Sequence, residues 1–156
     1  MIFASLGTMD MAFKRMARAV DEFAAAVDEE VIVQTGDTHY IYTHAKPFGF
    51  CTKDEMQTYI DRASILILQG GWGAISEAIE KHKRIVLIPR YVKTEHIHDQ
   101  FQLIRKLDSL GCVIGVFDER ELPLAVEKAR TYDFQQMPKG NAETIIRDKL
   151  TEWFGK

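Results

Sequence analysis

The sequence predicts an α/β fold: a parallel sheet with helices on both faces. Three observations predict it. Short apolar runs alternate with segments of helical periodicity along nearly all of the 156 residues, the order of strand–helix–strand units. Runs such as Ile65-Leu66-Ile67-Leu68 are apolar at consecutive positions, as in strands buried on both faces. That run ends in Gly70, Gly71 and Gly73, which open directly into a helix-like pattern.

The elements follow in order. Ile2 to Leu6 is a buried strand closed by Gly7-Thr8. Met11 to Val27 carries Phe13, Met16, Ala17, Val20, Phe23, Ala24 and Val27 at helical spacing. Val31-Ile32-Val33 is a strand ended by Gln34-Thr35-Gly36-Asp37, and Tyr40 to Thr43 reads as a shorter third one. Pro47 opposes helix, so Lys46 to Phe50 is a strand or an extended loop. Thr52 with Glu55 three residues on is a capping-box pattern, with Met56, Tyr59, Ile60 and Ala63 as the helix's apolar face. Ile65 to Leu68 is a strand, Trp72 to Lys81 a helix, and Ile85 to Ile88 a strand stopped by Pro89. After a polar loop, Arg90 to His98, the spacing of Phe101, Ile104, Leu107 and Leu110 gives a helix that Gly111 ends. Cys112 to Val116 is the last strand. Asp118 caps a helix to about Arg130, and Ala142 to Phe154 is a C-terminal helix whose Trp153 and Phe154 are expected in the core, with docking to a partner or a membrane surface as the second reading. Tyr132 to Gly140 is too short to separate domains and lets the last helix return across the sheet, so residues 1–156 read as one domain.

Composition narrows the function. Hydrophobic content of 46% with 28% charged residues is that of a soluble globular protein. A net charge of −3 gives no general attraction to nucleic acid, and no nucleic-acid partner is expected. Cys51 and Cys112 lack zinc-type spacing and fit free thiols in a reducing cytosol. The first residues lack a basic stretch followed by a long apolar one, so no signal peptide is expected, and no apolar run is long enough to span a bilayer. His96, His98 and Asp99 lack a third strong ligand at fixed spacing, so no metal is expected. Lys14, Arg15 and Arg18 read as a solvated helix face, and no spacing suggests a nucleophilic triad.

The glycine turn carries the chemistry. In open parallel sheets ligands bind beyond the carboxyl ends of the strands, and a helix N-terminus there offers bare amides to phosphate. Gly70, Gly71 and Gly73 match neither G-x-G-x-x-G nor the P-loop. If the helix begins near Gly71, then Gly70, Gly73 and Glu77 share one face. A diphosphate at the amides and a ribose diol at Glu77 would then belong to one nucleotide. The same residues also fit a plain tight turn with a solvated Glu77.

Several segments resemble one family in order and spacing from Met1 to about Val116. They are Ile2-Phe3-Ala4-Ser5-Leu6-Gly7-Thr8, then Asp28 to Gly36 with its Gln34-Thr35-Gly36 turn, then Ala63 to Gly71, and then Ile85-Val86-Leu87-Ile88-Pro89-Arg90 followed by Glu95-His96. Together they resemble the donor-binding, C-terminal domain of the GT-B glycosyltransferases of family 28. Closest in type are the single-domain subunits of bacterial exopolysaccharide synthesis and the eukaryotic subunit that adds the second GlcNAc to a dolichol-linked sugar. The resemblance implies a Rossmann-like sheet, half of a GT-B fold, acting as a nucleotide-sugar donor-binding domain. It implies that Gly70, Gly71 and Gly73 contact the diphosphate of a UDP-sugar and that Glu77 takes the ribose hydroxyls. Phe50 would border the uracil, Asp99 and Gln100 the donor sugar, and Gly7 and Thr8 the cleft toward the acceptor half. The chain departs from the family at Gln69, where His is usual, at Trp72, where small residues are common, and by one residue of register at His98-Asp99-Gln100.

The expected function is that of the donor-binding catalytic subunit of an inverting hexosyltransferase, with no cofactor. A membrane-anchored partner subunit would hold the lipid-linked glycan acceptor. It would also keep this chain cytoplasmic and peripheral at the inner face of the membrane. No catalytic residue is assigned, because the general base is expected from the partner. Without that partner the cleft face is open, and two copies can pair through it. Two other readings remain: a non-catalytic nucleotide-sugar binding or regulatory module, and an α/β subunit that no longer binds nucleotide.

Overall fold

The computed structural model describes residues 1–137, 140 and 142–154. Six parallel strands form one sheet: β1 (Ile2–Ser5), β2 (Val31–Gln34), β3 (Lys46–Phe48), β4 (Ile65–Gln69), β5 (Ile85–Ile88) and β6 (Ile114–Gly115). Their spatial order is β3-β2-β1-β4-β5-β6, with Ile2 paired to both Val31 and Ile65. The order reverses between β1 and β4, where the connections leave to opposite faces and open a crevice at the carboxyl edge.

Strand alternation feeds two cores. Ile2, Ala4, Ile65 and Ile67 face α1 (Lys14–Ala24) and α5 (Leu122–Thr131). Phe3, Leu66, Leu68, Ile85 and Leu87 face α2 (Lys53–Arg62), α3 (Trp72–Glu80) and α4 (Phe101–Ser109). Thr52 and Glu55 close the expected capping box on α2. Helix α4 ends in a Schellman arrangement: Gly111 at φ +72° donates to the Asp108 carbonyl and Cys112 to that of Leu107. The segment after α5 crosses the sheet. Tyr132 and Phe134 pack on the α1 side, whereas Gln136 donates to the Ile79 carbonyl at the end of α3. Pro138 of that segment lies outside the described residues.

Several sequence expectations are corrected. Residues 40–43 form no strand, because the amides of Thr43, His44 and Ala45 are taken by the buried carboxylate of Asp21. Helix α1 begins at Lys14, since the Phe13 amide is held by Thr38 Oγ1. The last strand shrinks to two residues because Gly111 and Cys112 serve the end of α4. Asp118 caps a 3₁₀ turn, Glu119–Glu121, and α5 starts only at Leu122 with Pro123 in its first turn. In the C-terminal helix α6 (Ala142–Phe154), Trp153 and Phe154 are 65% and 76% exposed rather than core. Arg15 is no solvated residue: it pairs with Glu95 and Glu119.

Candidate functional site

The site lies where β1 and β4 end side by side. After β1 the chain turns at Gly7, whose φ of +84° suits glycine. Gly36, after β2, backs onto it so closely that a Cβ there would collide with the Gly7 carbonyl oxygen. After β4, Gly71 is the N-cap of α3. The first-turn amides of Trp72, Gly73 and Ala74 have no acceptor inside the helix. Gly7, Gly71 and Gly73, with Thr8, Ser5, Gln34, Met56, Gln69 and Trp72, line a cavity of about 230 Å³. That is below the roughly 300 Å³ of the smallest usual ligand pockets, so it fits a diphosphate better than a whole nucleotide.

Two glutamines shape the wall. Gln100 is 4% exposed, and its Oε1 accepts the amides of Gly70 (3.0 Å) and Arg90 (2.9 Å). Two backbone donors fix that atom as oxygen, so Gln100 Nε2 donates to Gln69 Oε1 at 2.7 Å. The amide nitrogen of Gln69 is therefore turned toward Gly7 and Gly71, close enough that a Cβ at Gly71 would collide with it.

Beneath the wall, Arg90 is 1% exposed. Its guanidinium donates to the carbonyls of Leu6, Met11 and Glu95 and lies 4.5 Å from the centroid of Phe13. Burial pulls its pKa below the usual arginine value. Burial also opposes the charge of Arg15, but hydrogen bonds and charge from Glu95 and Glu119 outweigh it and hold that pKa above its usual value. Arg15 also donates to the Pro89 carbonyl. The Tyr91–His96 turn is closed by the Tyr91 carbonyl, which accepts the amides of Glu95 and His96.

The nine residues picked out from sequence do not all meet. Gly7, Thr8, Gly71 and Gly73 line the cavity. Gly70 stands behind it, against Gln100, with its amide already bonded. It is outside the helix and does not share the face of Gly73 and Glu77, which are one turn apart on α3. Glu77 is half-buried, 3.9 Å from Lys81. Phe50 is exposed on the loop after β3. Asp99 accepts the Phe101 amide at the start of α4, and Gln100 is engaged inside the protein; none of these three lines the cavity. Sequence reasoning missed Ser5, Gln34, Met56 and the buried role of Arg90. The signal for Arg90 was a cation placed directly after a wholly apolar strand and Pro89.

Among the described residues no group of three or more His, Cys, Asp or Glu is arranged to hold a metal. The His96 ring nitrogen Nδ1 accepts the His98 amide. No helix among the described residues is long and apolar enough to cross a membrane.

Comparison with known proteins matches this geometry to a fold. The glycotransferase of kitacinnamycin superposes with a TM-score of 0.66 at 17% identity, over 83% of this chain and 34% of that one. CalG4, the calicheamicin glycosyltransferase, gives 0.61 at 14%, over 98% and 44%. The MurG of Acinetobacter baumannii gives 0.57 at 13%, over 97% and 49%. The chain thus spans between a third and a half of these proteins. No curated protein sequence matches it. The glycosyltransferase family 28 C-terminal domain matches residues 5–149, nearly the whole length; the chain belongs to that family.

Proposed function

We propose that the chain is the donor-binding catalytic subunit of an inverting glycosyltransferase that takes a hexosyl group from a UDP-sugar. One observation carries the reading: the free first-turn amides of α3 open onto the cavity at the sheet's switch point, with Glu77 one turn further along. Amides there stabilise the diphosphate both when bound and as it departs with growing charge. Glu77 takes the ribose hydroxyls, and the amide nitrogen of Gln69 adds a donor from the cavity wall. The hexosyl group leaves toward an acceptor on the open side. That acceptor is a lipid-linked glycan held by a separate, membrane-anchored subunit, and this chain docks at the membrane only through that partner.

Two features support a second subunit. Among the described residues no side chain lining the cavity is an acid or base, so the group that deprotonates the acceptor comes from elsewhere. Ile41, Phe50, Tyr91, Val92 and Ile97 are exposed on the loops that follow β2, β3 and β5, and Trp72 at the first residue of α3, an apolar rim suited to a partner. The lack of a base equally favours the second reading, a nucleotide-sugar binding module without turnover.

Calorimetry with UDP and UDP-sugars tests the site. Wild type is expected to bind UDP, and Glu77→Ala to bind it about tenfold more weakly, the loss of one or two good hydrogen bonds. Equal affinity of the two proteins would remove Glu77 from the site. Transfer of labelled sugar by the chain together with its partner separates catalyst from module.

A further inference from the structure

Arg90 is an unusual core residue. Its three hydrogen bonds from the guanidinium all go to backbone carbonyls, at 2.6 Å to Leu6, 2.6 Å to Met11 and 2.9 Å to Glu95. Its Nε has no hydrogen-bond partner among the described residues. Filling the space does not require a cation: an unbranched apolar side chain would do so without desolvating a charge. What such a side chain lacks is a planar fork that fixes several carbonyls in one geometry.

The positions of those carbonyls give the arrangement its meaning. Leu6 and Met11 bracket the loop between β1 and α1, which carries Gly7 and Thr8. Glu95 lies in the loop between β5 and α4, which ends at Gln100. The main-chain amide of Arg90 also donates to Gln100 Oε1, and through Gln100 it fixes the amide of Gln69. Two parts of the cavity wall, Gly7-Thr8 and Gln69, thus both trace back to one buried residue. Arg15 reinforces the tie: it grips the Glu95 carboxylate and the Pro89 carbonyl and lies 4.2 Å from the centroid of Tyr91.

We propose that Arg90 is a positioning residue for the diphosphate site: from within the core it orders the β1–α1 and β5–α4 loops together, so that the cavity is formed before ligand arrives. Arg90 does not line the cavity and acts through the loops that do. The proposal rests on the donor-site reading above.

The test uses the full chain with Arg90→Met and Arg90→Lys. Asp21→Asn is the control, because Asp21 holds residues 43–45 and no part of the cavity. Three quantities are measured: UDP affinity by calorimetry, melting temperature, and amide exchange of residues 6–13 and 90–99. Arg90→Met is expected to bind UDP about tenfold more weakly, since the loops must then be ordered at the moment of binding. Exchange should rise in both loops and not in β4 or α5. Arg90→Lys should recover part of the affinity, and it decides the matter if the Met variant does not fold. Asp21→Asn should melt lower and keep the wild-type affinity. Wild-type affinity in both Arg90 variants would overturn the proposal. So would an equal loss in Asp21→Asn at a matched fall in melting temperature. A wild type that binds no uridine nucleotide would defeat the donor-site reading and the link to binding with it. The exchange pattern would then decide the loop tie alone, and unchanged exchange in both loops would overturn that too.

Discussion

Gly73 isolates the site from the fold at the scale of one residue. A Cβ there would meet nothing within 4 Å, and the residue is the second of α3. Alanine in a helix is favoured over glycine by up to about 1 kcal/mol, so Gly73→Ala should melt no lower than wild type. The added methyl would nevertheless sit at the cavity where the helix amides open. UDP affinity should therefore fall about tenfold, the scale set by about 1.4 kcal/mol. A variant that is both as stable and as tight-binding as wild type would show that ligand does not approach this turn. Gly71 behaves differently: its Cβ would displace the Gln69 amide, so alanine there mixes a binding effect with a change in the wall. Such distinctions were only half legible beforehand. The glycines were visible in sequence as a helix opening, but which amides are free was not. That depended on Gln100, thirty positions away from Gly70, claiming one of them.

Among the elements, the connection from β2 to β3 departs furthest from what the sequence suggested. Its order comes from Asp21 on α1, which is 5% exposed and accepts the amides of Thr43, His44 and Ala45. Burial alone would raise the pKa of this carboxyl, but the three amide bonds outweigh it and hold the pKa below the usual value. A depressed pKa stabilises the fold at pH values above the unfolded pKa, near 4. That contribution is lost as pH falls through the lower, folded value. Asp21→Asn should cost about 1–3 kcal/mol at neutral pH, since an amide cannot accept so many bonds with both of its heavy atoms. It should also flatten the dependence of melting temperature on pH below about 4. Thermal melts of both proteins from neutral to acid pH check this, and parallel curves would assign the acid sensitivity to other carboxyls such as Glu29, held at about 2. The strands and α2 were legible because their signals are local: continuous apolar runs, and a capping box at Thr52 and Glu55. The 40–43 segment was not. Alternating Tyr40 and Tyr42 mimic strand periodicity, while the group that takes their neighbours' amides lies some twenty residues earlier.

Over the whole molecule, the apolar side chains at the carboxyl edge face away from both cores. Ile41 and Ile97 are among the most exposed of them. The isolated chain is therefore expected to self-associate at high concentration through this rim. Ile41→Ser combined with Ile97→Ser should leave a monomer that still binds UDP, and sedimentation over a wide range of concentration would show it. A wild type that stays monomeric throughout would refute the pairing. The sheet constrains how such pairing can occur. One border strand, β3, is three residues long with Pro47 at its centre. Because the Phe48 carbonyl accepts the Thr35 amide from the β2 side, alternation turns the proline nitrogen outward, where it has no hydrogen to offer. The other border strand, β6, is two residues long, one of them glycine. Neither border gives a passing chain a ladder to extend, so this protein is guarded against open-ended, fibre-forming growth while its rim stays sticky. Pairing through the rim is instead expected to bury one face of each partner, so that the assembly closes after one step.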